Sequence, residues 1–307
     1  EFETYSDVYP TRQSGPNAWI AVMRGCNNFC TFCVVPYTRG RERSRSPENV
    51  VEEARRLAAE GFKQVTLLGQ NVNSYKHEEA DFAQLIDEVS KVEGIERIRF
   101  TSPHPKDFPD PLLKVIAENP KACKQIHLPL QAGSNRILEM MDRTYTQEEF
   151  LTLVDKIRTM IPNVALSTDI IVGFCSETDE EFEETYKVME QVEFDSAFIF
   201  KYSERKNTIA SRKHPDDVPE AIKTERIVRL NELQKKISLK RNQTHIGKTY
   251  SVLIEKEGTT KSPDDYTGRI DQNTLVIFPA GDYKTGEFVD ITITDATPNV
   301  LKGKRAA

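Results

Sequence analysis

Three cysteines lie close together, and their spacing is the strongest chemical signal in the sequence. Cys26, Cys30 and Cys33 follow a C-x3-C-x2-C pattern, with Phe32 directly before the last cysteine. A loop this short can aim three thiolates at one point, but it cannot supply a fourth. Three thiolates satisfy three corners of a cubane iron–sulfur cluster and leave one iron open for another ligand. The spacing therefore predicts a cluster with one reactive iron.

Two other uses of these cysteines fit the sequence less well. A structural zinc site would need a further ligand such as His104 or His127, and such sites usually pair C-x2-C with a second pair at a distance. The sequence has no second pair. A disulfide framework is disfavoured because an odd number of cysteines, five, fits a reducing compartment. Cys123 and Cys175 are interpreted as small buried residues.

The composition is that of a globular protein. The chain has 307 residues, of which 29% are charged and 38% are apolar, and its net charge is −6. No apolar run approaches the roughly 20 residues of a membrane span, and no signal-peptide pattern opens the chain. We therefore expect a cytoplasmic protein that does not associate with a membrane. The negative charge excludes bulk electrostatic coating of nucleic acid, so contact with RNA requires a local basic patch.

Strand, polar loop and helix alternate six times along the first two thirds of the chain. The predicted strands are Ala18–Met23, Lys63–Leu68, Glu96–Phe100, Lys124–Leu128, Ala165–Val172 and Ser196–Phe200. The pattern predicts a parallel α/β sheet, and six units predict an incomplete (β/α)6 barrel with a lateral opening. A doubly wound open sheet is the alternative, weakened because no glycine-rich nucleotide fingerprint follows the first strand. That first strand is almost wholly apolar, which predicts burial on both faces.

The end of the chain has a different character. A long helical pattern over 218–245 leads into three short β-type runs separated by glycines, Tyr250–Glu255, Thr274–Pro279 and Phe288–Thr294. These runs predict a small antiparallel β-barrel. The predicted domains are an entry segment at 1–17, the partial barrel with its trailing helix at 18–243, and the small β domain at 244–307.

Alternating arginines follow the cysteine loop. If residues 34–45 are extended, the side chains of Arg39, Arg41, Arg43 and Arg45 point to one side. Four guanidinium groups on one face could grip phosphates or a carboxylate. The other interpretation is a solvated surface loop with Glu42 as partial counter-ion.

Several loops at strand ends resemble one enzyme family. The cysteine pattern resembles the radical S-adenosylmethionine (SAM) superfamily, and three loops resemble its methylthiotransferases: Cys33–Gly40, Leu68–Tyr75 and His127–Ser134. The terminal segment Asp295–Asn299 resembles the TRAM domain of RNA-modifying enzymes. The loops are most like the branch that adds a methylthio group to C2 of N6-isopentenyladenosine beside the tRNA anticodon. Relatives acting on threonylcarbamoyl-adenosine or on a ribosomal-protein aspartate are the enzymatic alternatives, and an RNA-binding module with a structural metal is the non-enzymatic one.

The resemblance implies the cofactors and the residues that hold them. Cys26, Cys30 and Cys33 would bind a [4Fe-4S] cluster whose open iron chelates SAM, and one electron would then cleave SAM to methionine and a 5′-deoxyadenosyl radical. Because the cofactors supply this chemistry, no catalytic pair of His or Glu is expected. The residues implied to bind SAM are Gln70, Asn71, Ser102, Gln131, Asp169 and the backbone at Ile171 and Val172. Arg143 is a further candidate grip for substrate or cofactor.

The resemblance also implies partners and one departure. The expected partners are the tRNA anticodon stem-loop and an electron donor such as a flavodoxin or ferredoxin, and the expected state is a monomer. Methylthiotransferases carry an amino-terminal domain that binds a second, auxiliary iron–sulfur cluster. The sequence contains no such domain before the strand at Ala18. The expectation is that residues 1–307 alone cleave SAM reductively with little or no sulfur insertion.

Overall fold

A computed structural model describes residues 15–259 and 262–306 of the chain. Most of the predicted entry segment at 1–17 therefore lies outside the described residues. The strands of the larger region are β1 (Asn17–Ala21), β2 (Met23–Arg24), β3 (Arg43–Ser44), β4 (Gln64–Leu68), β5 (Lys76–His77), β6 (Ala80–Asp81), β7 (Arg97–Phe100), β8 (Gln125–His127), β9 (Ala165–Val172) and β10 (Ser196–Lys201).

The helices alternate with these strands as the sequence predicts. They are α1 (Val35–Arg39), α2 (Pro47–Ala59), α3 (Phe82–Ser90), α4 (Asp110–Glu118), α5 (Asn135–Met140), α6 (Gln147–Met160), α7 (Asp179–Val192), α8 (Ile209–Lys213) and α9 (Glu220–Gln243). Capping boxes begin α6, at Thr146 with Glu149, and α7, at Thr178 with Glu181. Each cap satisfies backbone N–H groups that the helix leaves open, which contributes about 1 kcal/mol. No helix in the described residues is both long and apolar enough to cross a membrane.

The six long strands are parallel and follow chain order. One sheet has the order β1-β4-β7 and the other has the order β8-β9-β10. A parallel bridge between Ile98 and Ala122 joins the two sheets just before β8. Within the described residues, the edge strands β1 and β10 each pair with a single neighbour. The prediction of an incomplete (β/α)6 barrel with a lateral opening is therefore confirmed.

The first strand departs from the prediction that both of its faces are buried. Ala18 and Ile20 are buried in the apolar core, whereas Trp19 between them is 56% exposed. Successive side chains of a strand point to opposite faces, so Trp19 faces the inside of the partial barrel. The sequence of β1 is apolar on both faces of the strand. It therefore did not show that one face packs in the core and the other lines the inside of the partial barrel.

The carboxyl-terminal region is a closed five-stranded barrel. Its strands are β11 (Thr249–Lys256), β12 (Asp265–Arg269), β13 (Leu275–Pro279), β14 (Phe288–Ala296) and β15 (Leu301–Arg305), in the spatial order β11-β12-β13-β15-β14. The sequence predicted only three of these strands. Gly268 was interpreted as a separator, yet it lies within β12, where an added Cβ would be 2.3 Å from the carbonyl oxygen of Leu253. A glycine inside a strand permits such close approach of two backbones.

The arginine-rich stretch is only partly extended, since β3 covers Arg43 and Ser44 alone, and the prediction of four guanidinium groups on one face is wrong. Val35–Arg39 forms helix α1, which begins with Pro36 in its first turn. Arg45 is buried, and its Nη1 lies 2.7 Å from the Glu53 carboxylate. Arg41 stacks over the Phe29 ring at 4.6 Å. Burial with a carboxylate partner on α2 overrode the alternation that the sequence displays.

Two arginines of β7 hold the small barrel against the partial barrel. The Arg97 guanidinium donates hydrogen bonds to the carbonyls of Arg269 and Ser251, both at 2.7 Å. The Arg99 guanidinium donates to the carbonyls of Asp271 and Ile270 at 2.9 and 3.0 Å. Both arginines are buried. Charge-assisted hydrogen bonds of this kind are the stronger ones in proteins, so the contact fixes the small barrel at the amino-terminal end of the strands.

Replacing Arg99 with methionine should loosen this contact. The substitution removes three charge-assisted hydrogen bonds, to the carbonyls of Asp271 and Ile270 and to the Gln64 side chain. Their loss costs about 2–4 kcal/mol in the free energy of unfolding. Urea unfolding followed by circular dichroism should show the loss, and hydrogen exchange should rise in β11 and β12. Arg55→Met is the matched control, because Arg55 is exposed and forms a surface ion pair with Glu52. Equal stability of the two variants would contradict the docking role.

Candidate cluster and substrate site

The cysteine loop connects β2 to α1, and the chain supplies a hydrogen-bond donor to each sulfur. The Asn28 N–H donates to the Cys26 Sγ at 3.4 Å, and the Val35 N–H donates to the Cys33 Sγ at 3.5 Å. Arg143 donates from Nη1 to the Cys30 Sγ at 3.3 Å. Donors of this kind stabilise thiolates and tune clusters bound by them. The hydrogen-bond donors around the loop therefore favour negatively charged sulfurs at all three cysteines.

Burial opposes ionisation of the Cys26 and Cys33 thiols unless a cation is bound. Desolvation raises the pKa of Cys26 to about 11, against the Asn28 hydrogen bond that lowers it, and the neighbouring Glu42, Cys30 and Cys33 raise it further. Desolvation likewise raises the pKa of Cys33. Only a metal centre would reverse this, since coordinated thiols are deprotonated outright. The sulfurs therefore suit a buried positive centre better than free thiolates.

The three cysteines suit a cluster, and the two histidines considered as a further zinc ligand are engaged by other groups. A zinc site requires four ligands around one ion, whereas a cubane binds each thiolate at a different iron. His127 has Nδ1 3.0 Å from Ser167 Oγ and Nε2 3.1 Å from Asp169 Oδ2. His104 Nδ1 accepts the Lys106 N–H, and burial lowers the pKa of His104 to about 2, so that its ring is neutral.

Two contacts fix the shape of the loop. Thr31 is buried, and its hydroxyl donates to the Met140 carbonyl at 2.8 Å while its N–H donates to the Met141 carbonyl at 3.0 Å. Gly25 precedes the first cysteine at φ +84°, where an added Cβ would lie 2.1 Å from the Arg41 carbonyl oxygen. Only glycine fits such a position, so the loop conformation is specified by these neighbours.

Gln70 and Asn71 lie beside this loop, at the end of β4. The Gln70 Oε1 accepts the Gly25 N–H at 2.6 Å, so Gln70 positions the cysteine loop. Asn71 is buried, and its Nδ2 donates to Asp107 at 3.0 Å and to Glu42 at 3.4 Å. The Oδ1 of Asn71 is buried without a hydrogen-bond partner. A buried acceptor left open costs free energy, and a ligand ammonium group is the kind of donor that would satisfy it.

Ser102 and Gln131 occupy strand ends with left-handed backbone. Their φ angles are +57° and +67°, values that are uncommon for residues other than glycine and that cluster at functional positions. Ser102 is exposed, whereas Gln131 is buried with an Oε1 that has no partner. Gln131 also extends the β8–β9 ladder, because its N–H donates to the Asp169 carbonyl and its carbonyl accepts the Ile171 N–H. Ile171 is half-buried and Val172 is buried.

The inside of the partial barrel is a cavity of about 1260 Å³. Its walls include inward-facing side chains of all six parallel strands, among them Trp19, Thr66, Arg99, His127, Asp169 and Phe198. Ser102 lies at one end, and the small barrel closes the other end with residues such as Arg269 and Leu275. A cavity with aromatic walls and a few polar groups is the form that ligand sites usually take.

Three functional features escaped the sequence analysis. His127 and Asp169 form a hydrogen-bonded pair on the cavity wall, although no such pair was expected. Arg143 contacts the Cys30 sulfur, a partner that the sequence did not predict. The aromatic side chains of β1 and β10 face the cavity. Alternation along each strand carried the signal for this last feature, since Trp19 and Phe198 share the inward face with polar residues.

Comparison with known proteins places both parts of the chain. Residues 20–189 match the Radical SAM superfamily, and residues 243–305 match the TRAM domain. Proteins named tRNA-2-methylthio-N(6)-dimethylallyladenosine synthase are similar to nearly the whole chain. The one from Phocaeicola vulgatus is 48% identical over 98% of this chain and 67% of its own length. The one from Acetivibrio thermocellus is 50% identical over 95% of this chain and 61% of its own length.

The similarity to solved structures supports the fold and nothing beyond it. Coproporphyrinogen III oxidase from Escherichia coli, a radical SAM enzyme, has a TM-score of 0.52 at 14% identity and covers 87% of this chain and 68% of its own. A radical S-adenosylmethionine methyltransferase from Kitasatospora setae has a TM-score of 0.53 at 19% identity, covering 65% of this chain and 42% of its own. The chain spans about two thirds of the length of the curated relatives above.

Proposed function

This chain belongs to the radical SAM superfamily and, within it, to the family of tRNA-2-methylthio-N(6)-dimethylallyladenosine synthases, and from that premise we propose that it attaches a methylthio group to C2 of N6-dimethylallyladenosine in tRNA. One observation carries the proposal. The chain places three cysteine sulfurs, each with an N–H donor, in the loop after the first strands of a partial barrel whose interior is an aromatic-lined cavity. Identity of 48% over 98% of the chain supports the same reaction.

The residues of this chain bind and orient, and the cofactors supply the reactivity. Cys26, Cys30 and Cys33 would hold a [4Fe-4S] cluster, which together with SAM supplies the one-electron chemistry that an unreactive aromatic C–H bond requires. The open Oδ1 of Asn71 and the open Oε1 of Gln131 would accept hydrogen bonds from polar groups of SAM. Backbone at Ile171 and Val172 would lie along its adenine. The cavity walls would hold the target base away from water.

Further parts of the proposal come from the family. The TRAM region would contact the tRNA anticodon stem-loop. An auxiliary iron–sulfur cluster, a flavodoxin or ferredoxin as electron donor, a monomeric state and a cytoplasmic location stay predictions. The domain bounds of 18–243 and 244–307 also stay predictions, and they are compatible with the end of α9 at Gln243 and the start of β11 at Thr249.

The decisive experiment follows hydrogen transfer instead of sulfur insertion. The chain is reconstituted anaerobically with iron and sulfide and then mixed with dithionite, SAM and an anticodon stem-loop whose target adenosine carries deuterium at C2. We expect 5′-deoxyadenosine that contains deuterium when the adenosine is dimethylallylated. Stem-loops with threonylcarbamoyl-adenosine and a ribosomal-protein peptide serve as competing substrates. Deuterium transfer from either competitor alone would overturn the proposed substrate. A colourless zinc protein that forms no 5′-deoxyadenosine would overturn the proposal that the chain is an enzyme.

A further inference from the structure

The most exposed large apolar side chains of the described residues lie on the two edge strands of the partial barrel. Trp19 on β1 and Phe198 on β10 are each 56% exposed, and Phe200 on β10 is 53% exposed. Trp19 and Phe198 both line the interior cavity. β1 and β10 border the lateral opening, so aromatic rings stand on both sides of the route into the cavity. Clustered exposure of this kind marks a binding surface.

The Phe198 ring is held in place while one side of it stays open. Its centroid lies 6.1 Å from that of His127 in an edge-to-face arrangement of 63°, a geometry favourable for aromatic pairs. His127 is itself fixed, because its two ring nitrogens contact Ser167 and Asp169. Asp169 is also the register partner of Phe198 across the β9–β10 pair. A ring fixed on one side and exposed on the other is preorganised for stacking.

We propose that Phe198, opposed by Trp19, is the stacking platform that recognises the adenine and its branched apolar N6 substituent when the base leaves the RNA stack. This inference rests on the proposed function and specifies how its substrate is chosen. Every nucleobase offers a π-face to an aromatic ring, but only a dimethylallyl group adds an apolar surface beyond the base. The neighbouring Asp169 carboxylate makes the same wall unfavourable for a substituent that ends in a carboxylate.

The chain provides its own reporter for this contact. Trp19 is the single tryptophan of the 307 residues, so intrinsic tryptophan fluorescence reports on the cavity alone. Short stem-loop RNAs are titrated in three forms, with adenosine, dimethylallyladenosine or threonylcarbamoyl-adenosine at the same position. In the wild-type chain, the dimethylallyl RNA should bind most tightly and should change Trp19 fluorescence more than the other two RNAs.

Substitution of Phe198 then tests the platform. Phe198→Leu should weaken binding of the dimethylallyl RNA about tenfold or more, since aromatic stacking on a base accounts for roughly 5- to 150-fold in affinity. Binding of the unmodified RNA should weaken less, because its adenine loses the stack but has no dimethylallyl group to lose contact with the ring. Phe198→Tyr should keep the preference, since it keeps the ring. Val228→Ala, which removes an exposed apolar side chain of α9 outside the cavity, is the control and should leave the preference unchanged.

The outcomes separate this inference from the proposed function. If the wild-type chain does not prefer the dimethylallyl RNA, the proposed substrate is wrong and the inference falls with it. If the wild type shows the preference and folded Phe198→Leu retains it, only the inference is overturned. Trp19→Leu followed by fluorescence anisotropy of labelled RNA provides the second variant, and it too should lose most of the preference. If both variants retain the preference, neither Phe198 nor Trp19 is the stacking platform.

Discussion

Replacement of Cys30 with alanine should abolish cluster binding. Two thiolates remain in the loop, too few for a cluster that takes three from this chain, and the Nη1 of the buried Arg143 loses its sulfur partner. After anaerobic reconstitution we expect iron to fall from about four atoms per chain to less than about one. Absorption near 400 nm and formation of 5′-deoxyadenosine should disappear together. Iron counting, labile sulfide and the absorption spectrum measure the effect.

A second cysteine of the same chain provides the matched control. Cys123 is buried beneath the small barrel, beside Asp271, and far in sequence from the loop. Cys123→Ala removes one sulfur of the same chemistry and should retain the full iron content. Wild-type iron in Cys30→Ala, or one zinc per chain in the wild type, would contradict the assignment of the loop. Loss of iron in both variants would indicate a general folding defect.

Replacement of Arg143 with glutamine should make the cluster harder to reduce. The guanidinium lies 3.3 Å from the Cys30 Sγ, and it is enclosed with Tyr145 and the Pro129 carbonyl. A reduced cluster carries one more negative charge than an oxidised one, so a neighbouring cation stabilises the reduced state and raises the reduction potential. Removing about 1.4–2.3 kcal/mol of that preference lowers the midpoint potential by roughly 60–100 mV for one electron.

The potential distinguishes this role from a purely structural one. Arg143→Lys keeps the positive charge but not the planar fork, so its potential should lie between those of the wild type and Arg143→Gln. Redox titration followed by electron paramagnetic resonance measures all three at equal iron content. A potential in Arg143→Gln that is equal to or higher than that of the wild type would contradict the electrostatic argument. A change in iron content without a change in potential would assign Arg143 to folding alone.

Local patterns predicted the elements, and distant contacts decided much of the site. The capping residue Thr146 marks the start of α6 in the sequence because a helix start depends on four adjacent residues. Cys26, Cys30 and Cys33 were equally predictable, since a short loop encodes its own geometry. In contrast, 113 positions separate Arg143 from Cys30 and 42 separate His127 from Asp169. The local pattern of the sequence carries no information about pairs of residues so far apart.

Two errors have the same physical origin. The alternating arginines predicted an extended face, but a buried partner for Arg45 on another element decided its position. Strand β12 was missed because its central Gly268 resembles a turn residue, although the neighbouring backbone at Leu253 requires it. In both cases tertiary packing overrode a correct local preference. The overall fold survived these errors because six repeats of strand and helix do not depend on any one residue.

The hydrogen bonds between β7 and the small barrel have a consequence for how the two parts could be exchanged between proteins. The guanidinium groups of Arg97 and Arg99 donate to main-chain carbonyls at four positions of the barrel, and Arg97 also lies 4.9 Å over the Phe288 ring. Carbonyl groups are common to every sequence, so these four hydrogen bonds depend on the course of the barrel backbone and not on residue identity. A homologous barrel grafted after α9 should therefore keep these four hydrogen bonds if its loop lengths match. To seat fully it also needs the carboxylates of Glu255 and Asp271, which accept from the Asn17 amide and from the Lys124 N–H. RNA preference could then diversify by transplantation while the catalytic half stays unaltered.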